Sequence, residues 1–309
     1  MKEYYIYGLT DCGDHRPVNE DGILIDHEVL NSGSYGAVVR TPFITAVCDG
    51  VGGENAGEIA SDQALRQLSL LHYTSQMDID REIGIMHNKI KQRGIRLKTA
   101  VNMQTTLCAL FTDEQGVSTC VNIGDSRMYR YTDGEIRQIS TDQSLAQFLY
   151  DDGAIDGFDE LTPQMRATIT SSLGSVYKAP KAQYVPLVTK IGENNSFDVI
   201  LICSDGISDY VSIDELQIIL SMNTLFDDKL HMILRLAEKN GSTDNMSVIG
   251  VISEAQISEH DKAIARRHER EKELARIMHD ARKRKNADLE EISNNDIERL
   301  RKMFSGGVE

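Results

Sequence analysis

Residues 43–53 read FITAVCDGVGG: six strand-forming residues, then an aspartate, then a glycine-rich turn. Branched and aromatic side chains favour a strand, and Asp-Gly is how such a run ends. The same pattern recurs along the chain. Asp125 closes VSTCVNIG at 117–124, Asp205 closes DVILICS at 198–204, Asp244 stands just before NMSVIGV, and Glu20-Asp21 precede the strand that begins at Gly22. Any one of these is an ordinary turn former. Five strand ends, each carrying a carboxylate, form a different object, because neighbouring strand ends in a packed sheet pair converge and gathered carboxylates repel unless protonated or bound to cations. With no His or Cys in the set, the matching ions are hard and oxygen-loving, Mg²⁺ or Mn²⁺. Two such ions about 3.5–4 Å apart can share a carboxylate and a water, lowering that water's pKa until it becomes a nucleophile. Glycine beside Asp49 lets the backbone approach closely, so the Gly50 carbonyl is a candidate ligand.

Working outward, strands are expected at 4–11, 22–26 and 43–49. Helices follow at 56–72 and 79–101, whose apolar residues recur at helical spacing, with Gly94 expected to bend the second. Strand character returns at 105–112, 117–124, 127–132 and 135–139, the last two joined by a hairpin turn at Asp133-Gly134. Residues 142–180 are polar and mixed. Strands resume at 184–188 and 198–203, helices at 213–222 and 227–239, and a strand at 245–252. Strands throughout, with two helices inserted early and two late, predict an α+β fold: a two-sheet β-sandwich flanked by helix pairs.

The 309 residues carry a net charge of −15. Residues 254–309 hold 13 acidic and 13 basic side chains, so the whole excess lies on 1–253. An acidic body disfavours nucleic acid and anionic membrane as partners. Five cysteines are scattered with no CxxC pair, which points to a reducing compartment, and the first residues have no signal-peptide pattern; a cytoplasmic protein is expected. The expected organisation is a catalytic domain over 1–253 and a charged C-terminal helical extension over 254–309. A thin apolar seam through 258–292 fits a helix docked on the body or on a partner. Ser293 to Asp296 resembles the capped start of a short last helix through Phe304.

The segments RPVNED (16–21), DGVGG (49–53), TTL (105–107), GDSRMY (124–129), TDQS (141–144), ITSSLG (169–174), SDGISD (204–209) and DNMSV (244–248) together resemble, in order and spacing, the PPM family of metal-dependent serine/threonine protein phosphatases, also called type-2C, in its compact bacterial form. The resemblance covers about residues 4–252. It implies the same sandwich and two or three bound Mn²⁺ or Mg²⁺ ions. Asp49 resembles the carboxylate bridging both metals, Gly50 a carbonyl ligand, Asp205 and Asp244 the other ligands, Glu20 and Asp21 the pair holding metal-bound waters, and Asp125 a ligand of a third metal. Arg16 matches the arginine that clamps the substrate phosphate. The implied reaction is hydrolysis of phosphoserine and phosphothreonine on proteins by a metal-bridging hydroxide, with no phosphoenzyme. The implied partners are phosphoproteins, a Ser/Thr kinase and its targets.

Three positions depart from the family pattern. Val51 stands where many eukaryotic members have a histidine, so leaving-group protonation falls to metal-bound water. Gln104 replaces a glycine and Gln143 a histidine, which bears on loop geometry. Residues 142–168 fall where bacterial members carry a flap beside the site. Rival readings fare worse: the GDS at 124–126 lies far from the N-terminus, where serine esterases with that motif carry it, and Val51 stands where an aspartyl-phosphate enzyme needs a second acid. The alternative of another class is a catalytically inactive PPM-fold binding or regulatory module. Loss of a metal carboxylate would mark it, and all are present.

Overall fold

Strand-forming runs from opposite ends of the chain meet in one sheet. The computed structural model describes residues 2–51, 56–98, 100–187, 190–191 and 198–285. Its first strand, β1 (Glu3–Asp11), pairs antiparallel with the last, β14 (Met246–Ser253), from Tyr4 opposite Ser253 to Asp11 opposite Met246. β4 (Gly33–Arg40) flanks β1 on its other side; β13 (Asp198–Cys203), β10 (Arg127–Thr132) and β11 (Glu135–Gln138) continue beyond β14. The second sheet runs β12 (Gln183–Pro186), β9 (Ser118–Ile123), β8 (Leu107–Thr112), β5 (Phe43–Cys48), β2 (Gly22–Ile25) and β3 (Glu28–Leu30). A two-stranded ribbon joins β6 (Gly50–Val51) to β7 (Gln104–Thr105).

The sheets pack face to face through Tyr4, Ile6, Ile23, Val47, Leu110 and Ile249 among others. The outer face of the first sheet is covered by α6 (Ile213–Ser221) and α7 (Phe226–Lys239), which bury Leu216, Leu230 and Ile233 against Tyr5, Leu201 and Val248. The second is covered by α1 (Gly57–Leu68) and α2 (Ile79–Leu97), which bury Leu65, Met86 and Ile90 against Ile44, Ala46 and Phe111. Because both faces of each sheet are covered, β5 and β13 are buried at every residue and read as unbroken apolar runs instead of alternating ones. The expected α+β sandwich with flanking helix pairs is therefore the architecture observed.

The differences are local. β3 and β4 were not expected. β4 reads GSYGAVVR, whose glycines suggest a turn, yet a Cβ at Gly36 would lie 2.7 Å from the Tyr5 hydroxyl and 3.3 Å from Ile264, so the glycine marks close approach within an edge strand. α1 stops at Leu68 and α2 at Leu97, short of the expected 72 and 101. Gly94 does not break α2; a Cβ there would collide with the Ala100 carbonyl as the chain returns over the helix. The polar 142–168 stretch holds α3 (Leu145–Asp151), capped by Ser144, which accepts from Gln147 N–H at 3.1 Å, and the one-turn α4 (Pro163–Arg166). Another single turn, α5 (Asp205–Ser208), follows β13.

The C-terminal helix α8 (Glu259–Lys285) lies along β4. Ile264 and Ala265 pack on the first sheet's core, and Asp261 is buried, accepting from Ser258. His268 stacks on Tyr35 with ring centroids 5.4 Å apart, and its Nδ1 accepts the outward Gly36 N–H at 2.8 Å. That contact covers an exposed strand edge, the usual hazard of an open sheet. The expected last helix, with its capping residues 293–296, lies outside the described residues. No helix among the described residues is long and apolar enough to cross a membrane.

Candidate functional site

The sheets deliver their carboxylates to one end of the sandwich. Asp49 sits between β5 and β6, Glu20 and Asp21 immediately before β2, Asp125 between β9 and β10, Asp205 at the start of α5 after β13, and Asp244 two residues before β14. Each lies just outside a strand, where the backbone is released from the ladder and the side chain can turn inward.

The connecting loops are fixed by hydrogen bonds from neighbouring motifs. The Asp49 carbonyl accepts from Thr106 N–H at 2.8 Å and from the Thr105 hydroxyl at 2.9 Å; Asp49 N–H donates to Thr106 Oγ1 at 3.0 Å. Thr106 Oγ1 and Ser126 Oγ lie 2.8 Å apart, tying the Asp49 turn to the Asp125 loop. Asn245 holds the other side: its Oδ1 accepts Glu20 N–H at 2.8 Å, while its amide donates to the Cys12 and Val18 carbonyls at 3.0 and 3.2 Å. Gly50 and Gly57 are in backbone contact, and a Cβ on Gly50 would stand 2.7 Å from the Glu20 carbonyl. Asn245, Gly57 and Ser204 were not singled out from the sequence, although Asn245 and Ser204 belong to the DNMSV and SDGISD segments. Asn245 and Ser204 act through contacts across more than 180 residues, and Gly57 through its close approach to Gly50 and Glu20, which no local pattern reveals.

Electrostatics set this cluster apart from the rest of the protein. Asp21 is 2% exposed and accepts from the Ser204 hydroxyl at 2.7 Å. Burial, opposed by serine hydrogen bonds and aided by the charges of Asp205 and Asp244, pushes its pKa up to about 7. Asp205 is pushed up to about 6, by burial and then by Asp244 and Asp209. Asp49 is raised well above the ordinary carboxylate range by burial and by the charges of Asp21, Asp205, Asp125 and Asp244. Asp125 is raised by burial, Asp205 and Asp142; Glu20 by burial, against a hydrogen bond from Gly57. The cause is the same throughout: several carboxyls enclosed in protein with too little positive charge among them.

Arg16 is the exception. Its Nη2 donates to Asp244 Oδ2 at 2.7 Å and its Nε to the Thr243 carbonyl at 3.3 Å, with both charged side chains more than a third exposed. Among the described residues, no three His, Cys, Asp or Glu side chains stand close enough to grip an ion as they are. The donor set nonetheless fits divalent cations: it is all oxygen, recessed and short of counter-charge, and cation binding would let Asp21, Asp49 and Asp205 ionise together. Asp244 would then share its carboxylate between a cation and Arg16.

A cavity of about 480 Å³ opens beside this cluster, lined by Asp125, Asp205 and Asp244 on one side and by Phe158 and Arg166 of the 142–168 segment on another. That segment is closed at its base by Leu145 N–H to the Thr168 carbonyl at 2.8 Å. Both glutamines that depart from the family pattern are engaged. Gln143 accepts Gly124 N–H at 3.0 Å and donates to the Lys181 carbonyl at 2.7 Å; Gln104 accepts from the Ser172 hydroxyl at 2.5 Å.

The protein phosphatase 2C family model matches residues 34–248. The chain is 31% identical over 250 residues to protein phosphatase PhpP of Streptococcus pneumoniae, covering 78% of this chain and 94% of that one. In structure it is similar to a serine/threonine phosphatase from Staphylococcus aureus, with 25% identity, a TM-score of 0.65, and coverage of 82% of this chain and 95% of that one. It is similar also to the catalytic domain of serine threonine protein phosphatase PstP in complex with two manganese ions, with 26% identity, a TM-score of 0.63, and coverage of 81% and 99%.

Proposed function

Since the chain belongs to the protein phosphatase 2C family and is a serine/threonine protein phosphatase, we propose that it hydrolyses phosphoserine and phosphothreonine on proteins with two or three Mn²⁺ or Mg²⁺ ions held by Asp49, Asp205, Asp244, the Gly50 carbonyl, Asp21 and Asp125. The observation that carries this reading is the deficit of positive charge around Asp21, Asp49 and Asp205, whose raised pKa values mark a site that gains stability when cations arrive. When bound, the cations supply Lewis acidity, activating water and offsetting charge on the phosphoryl oxygens.

The chain's own groups do the positioning. Arg16 presents a guanidinium at the exposed edge of the cluster, where its planar fork suits two phosphate oxygens. Glu20 and Asp21 accept hydrogen bonds from water and hold it opposite the phosphorus. The Thr105–Thr106 and Asn245 braces fix the carboxylates, so little reorganisation accompanies the reaction. Direct attack by water leaves no covalent phosphoenzyme, and with Val51 after Gly50 the departing oxygen takes its proton from water. The cavity between the cluster and the 142–168 segment has room for the residues flanking a phosphorylated side chain.

In this reading residues 1–253 form the catalytic domain and 254–309 an extension. The partners are phosphoproteins, with the kinase that opposes this enzyme and that kinase's targets foremost. Five free cysteines among the described residues support a cytoplasmic setting. The deciding experiment compares wild type with Asp205→Asn on a phosphothreonine peptide, with and without Mn²⁺. Mn²⁺-dependent turnover in the wild type and its loss in the variant are expected. No turnover in either would favour the inactive binding module.

A further inference from the structure

On the α1–α2 side of the molecule a second cavity of about 410 Å³ lies between α2 and the segment from Ser175 to Ala182, within the size range of small-molecule sites. His87 lines it and is only 6% exposed. Its Nδ1 accepts the Gly174 N–H at 3.1 Å, which in the neutral ring leaves the proton on Nε2. That Nε2–H has no hydrogen-bond partner among the described residues. Burial and the neighbouring Lys91 lower the pKa of the ring, keeping it neutral and Nε2 a donor. Lys91 and Lys178 line the same cavity, and neither pairs with a carboxylate among the described residues. The one carboxylate lining the cavity among the described residues, Asp80, accepts from the Tyr184 hydroxyl at 2.5 Å. Two unpaired ammonium groups and a recessed N–H donor in one concavity are unusual on a body that carries the whole of a −15 net charge.

We propose that this cavity is an anion site, separate from the carboxylate cluster, which binds the phosphate or carboxylate group of a small molecule through His87 Nε2–H, Lys91 and Lys178. Charge-assisted hydrogen bonds from lysine suit such an oxyanion, and Tyr177, 84% exposed at the cavity rim, offers a flat face to the rest of the ligand. The cavity also touches the catalytic side indirectly. Gly174 follows Leu173, which pairs with Thr105, whose hydroxyl donates to the Asp49 carbonyl.

The test is a titration of the full chain, with metal chelated, using inorganic phosphate, citrate and ATP in turn. The Gly174 amide and the His87 ring nitrogens are followed by nuclear magnetic resonance. Saturable shifts at both groups are expected with at least one of the three, and the one that acts identifies phosphate or carboxylate as the preferred group. In the double variant Lys91→Gln, Lys178→Gln the affinity should fall about tenfold or more, as expected for lost charge-assisted bonds. Asp49→Asn should leave it unchanged. No shift with any of the three anions, shifts that survive the lysine double variant, or shifts that vanish in Asp49→Asn would each overturn the proposal.

Discussion

Strand β13 opens on one aspartate, Asp198, and is followed by another, Asp205, at the start of α5, and the two have opposite fates. Asp198 opens the strand and is 1% exposed, but Arg130 meets it with a two-pronged contact, Nε to Oδ1 at 3.0 Å and Nη2 to Oδ2 at 2.6 Å. Asp205, roughly 20 Å further along at the usual strand rise, faces Asp49 and Asp244, with a pKa pushed up to about 6. At one end the chain supplies its own cation. At the other it gathers carboxylates with too little positive charge among them. A paired carboxylate and one of the proposed metal site are thus distinguished by their partners, although both are recessed aspartates beside the same strand.

The largest expected effect breaks the functional end. Asp49→Asn keeps the side chain's shape but removes charge, and should reduce Mn²⁺-stimulated hydrolysis of a phosphothreonine peptide by about a thousandfold or more, with the circular dichroism spectrum unchanged. Wild-type turnover in this variant would contradict the assignment.

At the structural end, Arg130→Met should lower unfolding free energy by about 3–5 kcal/mol, because it strands a buried carboxylate. Adding Asp198→Leu should recover most of that loss. Denaturant midpoints of the single and double variants measure both. An equal loss in the two would mean that the pair itself, and not the orphaned charge, carries the effect.

The cluster should also make stability respond to pH. Asp21 and Asp205 have folded-state pKa values above the ordinary 3.8, so the folded protein binds more protons than the unfolded chain across that window. Their contribution is fully present below pH 3.8 and is lost as pH rises through about 6 to 7. With metal chelated, the denaturant midpoint should therefore fall between pH 5 and pH 8, and Asp21→Asn should flatten the fall. Saturating Mn²⁺ should restore stability at pH 8. A midpoint that rises over this range in chelator would count against an uncompensated cluster.

The smallest effect belongs to the exposed ion pair. Arg16→Ala should change stability by less than about 1 kcal/mol, since both partners are well solvated. It should mainly raise KM for phosphopeptide; an unchanged KM would remove Arg16 from substrate binding. Deleting residues 258–309 should leave turnover of a small aryl phosphate intact while lowering solubility, because the β4 edge and Tyr35 lose their cover. Unaltered solubility would show that α8 contributes little as a cover.

The carboxylates, their position at strand ends and the sandwich class were legible in the sequence, because strand periodicity and Asp-Gly turns are local properties. The proposed hard-ion chemistry rests on the same local reading, since residue type alone restricts the candidate ligand set to oxygen. β4 was not legible: its Gly36 answers to tyrosines on β1 and to Ile264 on α8, the latter more than 200 residues away. Nor were the Asn245 and Thr106 braces, the cavity at His87 or the docking of α8. Each depends on which distant atoms come within a few ångströms, and only the closed tertiary structure fixes those distances. It was also the fold that separated Asp198 from Asp205. The sequence offers both as aspartates flanking one strand-forming run, and the difference between an ion pair and the proposed ion site lies in whether a guanidinium reaches them.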